Sequence, residues 1–262
     1  MSSPPAGSIS GVTIVFVPYH QDERLSAEQF PLPTGASVST VAPQLPDGDR
    51  WQRIVALNDA TADTVAATIQ GGAMPTVVSG DCLSALGTVT GAQRAGVDPA
   101  VVWFDAHGDL HTVGSSTSGY LGGMALRSVL GDQPPQVAGG LGLRAIPQRR
   151  VLLVDARDLD PAEADYLAGA DVRSCAVPDV DARTLPDGPL VLHVDLDVID
   201  AAELPDLLFP VGGGPSRTAV LDAVRRVLAT GRVAAFSIAC PWHPVGDEEN
   251  ARRAALLAGI LA

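Results

Sequence analysis

Ala100-Val-Val-Trp-Phe-Asp-Ala-His-Gly-Asp109 and Leu190-Val-Leu-His-Val-Asp-Leu-Asp-Val-Ile-Asp200 decide how this chain is read. In each, a short apolar run passes without a break into a cluster of acids. Runs that are continuously apolar rather than alternating belong to strands buried on both faces, as in a parallel sheet covered by helices. In such sheets ligands bind beyond the carboxyl ends of the strands. The acids therefore stand where a binding site is expected. Thr76-Val-Val-Ser-Gly runs in the same way into Asp81-Cys82, which makes a third cluster on the same edge.

Working outward, further strands are expected at Val12–Val17, Val151–Val154 and Val233–Phe236. Helical spacing covers Trp51 to Gln70, closed by Gly71-Gly72, and recurs over Ser84–Ala95, Gly122–Leu130, Pro161–Gly169 and Ser216–Thr230. Strands alternating with helices predict an α/β fold with a parallel central sheet. The stretches 31–50 and 131–150 are rich in Pro and Gly and read as surface loops. No repeat or interior linker divides the chain, so residues 11–262 are expected to form one domain behind a flexible Ser/Pro/Gly-rich tail, residues 1–10.

Composition excludes several function classes. Among 262 residues the formal charge is −13, which opposes nucleic acid and anionic membrane surfaces as partners. Aromatics make up only 4 %, too few for base-stacking platforms, while 46 % hydrophobic residues supply a large core. There is no apolar run of membrane-spanning length and no leader-like N-terminus. Three scattered cysteines, Cys82, Cys175 and Cys240, fit a reduced, cytoplasmic protein better than a disulfide scaffold. A small neutral or cationic molecule, or a cation, is the expected partner.

Spacing sharpens the chemistry. In extended chain, residues two apart project to one side, so Asp105, His107 and Asp109 point together, as do Asp195 and Asp197. Four carboxylates and an imidazole gathered at one edge repel unless a cation sits among them. Oxygen ligands with an imidazole suit manganese first, with zinc, iron or cobalt also compatible. A single Asp-x-Asp after a strand is commonly a turn or cap; Asp-x-His-x-Asp together with a second acidic cluster is not explained by capping.

These residues resemble the arginase/agmatinase/formiminoglutamase (ureohydrolase) family. Phe104–Asp109 is similar to its first metal motif and His193–Asp200 to its second. Ser79-Gly-Asp-Cys-Leu-Ser84 resembles its Gly-Gly-Asp-His-Ser segment, and Ser118-Gly-Tyr-Leu-Gly-Gly-Met124 its Ser-Gly-Asn-Leu-His-Gly loop. Arg157–Pro161 and Pro210–Gly214 follow in family order. The resemblance implies a three-layer α/β/α fold, one or two Mn2+ ions that activate water for attack on a guanidinium carbon, and a homo-oligomer. It implies Cys82, Asp105, His107, Asp109, Asp195 and Asp197 as metal ligands, Asp105 and Asp195 being shared. Asp109 and Asp200 are the candidate catalytic carboxylates, Asp200 lying just behind the ligands. His111, Thr112, Ser118 and Asp160 match substrate-binding positions, though each could equally be a loop or cap residue.

Three departures bear on function. Cys82 replaces a histidine ligand and is either a soft thiolate ligand or an inert buried thiol. Gly122 stands where arginases carry a loop histidine. Ala239-Cys-Pro-Trp-His-Pro244 lacks the family's guanidinium-binding Glu, and His243 there reads as a surface residue. The Gly-rich loop 212–214 lacks the lysine and spacing of a phosphate loop. Together these features imply a metal-dependent amidinohydrolase acting on a guanidino-type compound, less basic or N-substituted, N-hydroxyarginine being one example. The alternative is a non-catalytic relative with a binding or assembly role.

Overall fold

The computed structural model describes residues 11–26 and 30–261; the expected tail, 1–10, lies outside the described residues. Among the described residues there are ten strands: β1 Thr13–Val17, β2 Tyr19–His20, β3 Glu23–Arg24, β4 Ser37–Thr40, β5 Pro75–Ser79, β6 Ala100–Asp105, β7 Val151–Asp155, β8 Arg173–Cys175, β9 Leu190–Asp195 and β10 Val233–Ala239. The α-helices are α1 Arg50–Gln70, α2 Ser84–Arg94, α3 Ala125–Val129, α4 Pro135–Gly140, α5 Pro161–Gly169, α6 Arg217–Leu228 and α7 Asp247–Leu261. Eight strands make one sheet in the order β4-β1-β5-β10-β9-β6-β7-β8, with parallel pairing throughout; β2 and β3 form a separate antiparallel pair.

Alternation along the strands explains the layers. On β6, Val101 and Trp103 face one core while Ala100, Val102 and Phe104 face another; on β9, Val191 separates from Leu190, Leu192 and Val194 in the same way. The first core is completed by residues of α1 to α5, the second by Val220, Val224 and Val227 of α6 and Leu256, Leu257 and Ile260 of α7. Period-2 side chains buried on both faces thus produce the expected three-layer α/β/α sandwich.

Local chemistry sets the helix starts. Asp49 caps α1, its carboxylate accepting from Gln52 N at 2.8 Å while Gln52 Oε1 accepts from Asp49 N at 2.8 Å. Ser216 Oγ accepts from Ala219 N at the start of α6, and Pro161 takes the first position of α5. Helices α1 and α2 approach closely because Gly91 lacks a side chain: a Cβ there would lie 2.6 Å from Val65 Cβ.

Two presumed loops hold elements. Segment 31–50 contains β4, whose exposed Ser-Val-Ser-Thr carries no apolar pattern because only its backbone, paired with β1, holds it. Segment 131–150 contains the short α4, and α7 was not foreseen. The expected helix over Gly122–Leu130 begins as a tight 3-10 turn, Gly122–Met124, before α3. No described helix is long and apolar enough to cross a membrane.

Candidate metal centre and substrate cavity

Strand order brings the acids together. Phe104 of β6 pairs with Val194 of β9, so the next residue on each strand is Asp105 or Asp195. On the other side of β9, Ala239 of β10 pairs with both Asp195 and Ser79 of β5. That register carries Cys82, three residues beyond β5, over the end of β9. Cys82 Sγ lies 2.9 Å from Asp195 Oδ2 and 3.8 Å from Asp105 Oδ2. His107 Nδ1 lies 3.0 Å from Asp197 Oδ2 and 3.5 Å from Asp105 Oδ1.

Backbone donors hold the carboxylates in place. Asp105 Oδ1 accepts from His107 N at 2.7 Å, and Trp103 Nε1 donates to its Oδ2 at 3.0 Å. Asp195 Oδ1 accepts from Asp197 N at 2.9 Å, and Asp197 Oδ1 from Ala106 N at 3.1 Å. Two sets of ligand-type atoms lie within 4.8 Å of one another and share Asp105: Cys82, Asp105 and His193, and Asp105, His107 and Asp197. His193 was not foreseen as a member. It is fully buried, shares a hydrogen bond with Ser237 Oγ through Nδ1 at 3.1 Å, and packs on Trp103.

The cluster carries more negative charge than its protein surroundings balance. Burial first, and then neighbouring carboxylates, push Asp109 and Asp195 well above the usual carboxylate range. Burial and Asp105 push Asp197 up to about 6. For His107, burial pulls down, but the hydrogen bonds to Asp105 and Asp197 outweigh it and push the imidazole up to about 12. Burial also works to raise Asp105, yet His107 and Trp103 hold it below its ordinary value. Burial and the surrounding acids push the Cys82 thiol well up.

A cavity of about 300 Å3 opens above this floor. Cys82, His107, Asp109, Asp195 and Asp197 line its base, and His111, Ser118, Tyr120, Asp160, Glu163, Phe209 and Pro241 stand around its walls. His111 Nε2 lies 2.9 Å from Asp160 Oδ2. Glu163, 4 % exposed, accepts from Leu110 N at 2.9 Å and from Asp160 N at 3.0 Å. It therefore ties the start of α5 to the loop after the first metal motif.

Not every expected residue arrives. Asp200 is absent from the cavity lining: its carboxylate accepts from Ala202 N and Gly214 N, each at 2.8 Å, and organises the 200–214 loop. Thr112 lines a separate hollow behind His111, and its hydroxyl accepts from Ser115 N at 3.2 Å. Asp81 turns inward, accepting from Leu83 N at 2.8 Å and from Gln21 N, so the third acidic cluster contributes Cys82 alone. At the site of the missing Glu, Pro241 meets the cavity, while His243 is exposed. Arg157 fixes the neighbouring loop by donating to the carbonyls of Asp197, Val198 and Val211 and pairing with Asp155.

The profile of the arginase family matches residues 30–262. The chain belongs to the arginase family. An arginase from Eremothecium gossypii is 29 % identical over 194 residues, covering 67 % of this chain but 48 % of the relative, so the chain spans about half that relative's length. The N(omega)-hydroxy-L-arginine amidinohydrolase of Streptomyces lavendulae is 28 % identical over 216 residues, covering 80 % of this family member and 75 % of the relative. The arginase structure from Bacillus caldovelox superposes with a TM-score of 0.79 at 22 % identity, over 97 % of each chain, which establishes the shared fold.

Two functional features of this arginase-family chain had a legible signal. His193 precedes Asp195 by two residues on β9, so strand alternation groups those two; Asp197, expected to follow the same alternation, lies instead in a 3-10 turn past the strand end. Glu163 closes an Asp-Pro-Ala-Glu capping box, a signature visible in sequence. Nothing local marks Phe209 or Pro241.

Proposed function

We propose that this chain is a metal-dependent amidinohydrolase that cleaves a C–N bond in a guanidino-type compound, with a less basic, N-hydroxylated guanidine favoured over arginine. The observation that carries the reading is the convergence of Cys82, His107, Asp109, Asp195 and Asp197 at the base of one cavity, with the buried Asp105 in reach of both Cys82 and His107. The donor set fits a divalent cation. Asp109 Oδ2 and His193 Nε2 are buried without a hydrogen-bond partner, and burial with mutual repulsion raises Asp109, Asp195 and Asp197 above the usual carboxylate range, a strain that a cation would relieve. Manganese suits mostly oxygen donors with an imidazole.

Asp105, Asp195, Cys82 and Asp109 would hold one ion, and Asp105, Asp195, His107 and Asp197 a second. When bound, the metal supplies the Lewis acidity that brings the pKa of water near neutrality. The chain does the rest. Backbone donors at Ala106, His107 and Asp197 keep the carboxylates oriented, which removes reorganisation at the moment of reaction. At the mouth, Asp160 offers a carboxylate for a substrate amino group, steadied by His111. Pro241 and Phe209 present apolar surface to the cavity. A fully charged guanidinium beside Pro241 would lack a carboxylate partner there, and a less basic guanidine does not need one. The Streptomyces lavendulae relative, named for N-hydroxyarginine, supports that preference.

The test is to load the purified chain with manganese, count bound metal by elemental analysis, and assay arginine, agmatine, N-hydroxyarginine and formiminoglutamate for amine release. Turnover of N-hydroxyarginine above arginine supports the reading. Rates for arginine equal or higher would sink the preference. A chain that holds metal yet cleaves none of the four would hand the site to the non-catalytic reading.

A further inference from the structure

Tyr120 stands in the cavity wall between two other rings. Its ring lies 5.7 Å from His20, nearly parallel to it, and 4.7 Å from Phe209. It also packs directly on the backbone of Gly122, where an added Cβ would sit 2.4 Å from Tyr120 Cε1 and 2.6 Å from the hydroxyl oxygen. Such distances are far inside van der Waals contact, so no other residue at 122 leaves the ring where it is. Gly122 and Tyr120 are one unit: the glycine makes the room that the phenol occupies.

The hydroxyl so placed is a donor without a protein acceptor. Among the described residues no hydrogen bond to Tyr120 Oη is formed, and the side chain lines the cavity rather than the interior. Burial first, and then the charges of Asp81, Cys82, Asp109 and Asp195, push the phenol well above its ordinary pKa. A phenol with an ordinary pKa near ~10 is already O–H around neutrality. A plain guanidinium carries only N–H donors, which can donate to the phenol oxygen but leave its O–H proton without an acceptor; an N-hydroxyguanidine carries an oxygen that accepts that proton.

We propose that Tyr120 is the specificity-determining residue of the site, its O–H donating to an acceptor oxygen next to the reacting carbon of an N-hydroxyguanidine. The inference rests on the guanidino reading above and names the group that separates one member of that class from another. A polar group left unpaired by the wrong ligand is a stronger discriminator than a change in apolar contact.

The test uses the full chain loaded with manganese, N-hydroxy-L-arginine and L-arginine as probes, and both calorimetric binding and turnover as readouts. Tyr120→Phe keeps the ring and its stacking and removes only the donor. Its affinity and kcat/KM for N-hydroxyarginine are expected to fall about tenfold, as for a lost hydrogen bond, with those for arginine changed less than about twofold. Gly122→Ala, which must displace the ring, is expected to lose the same selectivity, and to lose no more of it in the Tyr120→Phe background. If Tyr120→Phe moves both probes equally or neither, or if the two substitutions act additively, this inference falls while the hydrolase reading stands. If the wild-type chain neither binds nor cleaves either probe, both fall together.

Discussion

Replacing Cys82 with histidine tests the site at its most divergent position, and its effect follows from the thiol's surroundings. Cys82 is 5 % exposed and faces Asp105 and Asp195, so burial and those acids raise its pKa above the ordinary value of 9.0. Only the thiolate binds metal. Taking 9.0 as a lower bound, freeing it at pH 7 costs at least about 2.7 kcal/mol, or about 100-fold in apparent affinity at ~1.36 kcal/mol per pKa unit. An imidazole with an ordinary pKa near ~6.5 is mostly deprotonated at that pH and costs almost nothing. The new ring has space, since Cys82 borders the cavity. Titrating manganese against a competing chelator should therefore show the ion at the Cys82 site held at least about 100-fold more tightly by Cys82→His at pH 7. The gap should close by about tenfold per unit as the pH rises toward 9, because the wild-type thiol pays less to ionise. Equal manganese content with parallel pH profiles would refute the argument that the native thiol is a protonated, poor ligand.

Three further outcomes follow from named contacts. Arg157→Met removes five donated bonds and leaves Asp155 partly buried and unpaired; it should lower stability by about 3 kcal/mol in urea unfolding, and an unchanged midpoint would show the 198–214 loop to be self-supporting. Glu163→Gln exchanges one of two carboxylate acceptors for a donor facing a backbone N–H. It should cost about 1–3 kcal/mol, while Glu163→Asp, which falls short of the same donors, should not restore it. In metal-free protein, Asp197 holds its proton up to about 6 when folded but only to 3.8 when unfolded. The native state thus binds more protons in that window, and its stability should fall by on the order of 2–3 kcal/mol as pH rises through it. Thermal unfolding at steps across the window should show that slope, Asp197→Asn should flatten it, and manganese should reverse it; a rising slope without metal would contradict the assigned shift.

Much of the site is legible in the amino-acid sequence. The apolar runs ending at Asp105 and Asp195 require a parallel sheet, because strands without polar alternation must be covered on both faces. Their acids then fall at its carboxyl edge. Neighbours two apart could be grouped because extended chain has period two. On β9 that rule puts His193 on the side of Asp195, whereas Asp197 lies past the strand end in a 3-10 turn, Leu196–Val198, and meets Asp195 through its own backbone N–H. The rule was also less apt for Asp109, which lies past the strand end in left-handed backbone at φ 52° and reaches the cluster through a turn rather than along an extended chain.

Local pattern determined the layers, the acidic edge, the caps of α1 and α5, and the departures at Cys82, Gly122 and the acid-free stretch Ala239–Pro244. Only tertiary structure decided which of those residues meet. The order β5-β10-β9-β6 lays Cys82 against Asp195 across 113 positions of sequence, and no local signal encodes that neighbour. The same holds for Asp200, whose carboxylate is claimed by the backbone of its own loop, and for Tyr120, whose ring settles on Gly122 between His20 and Phe209. Backbone periodicity acts over a few residues, whereas contact across the sheet is selected by packing of the whole chain, and that is where the chemistry of this cavity is set.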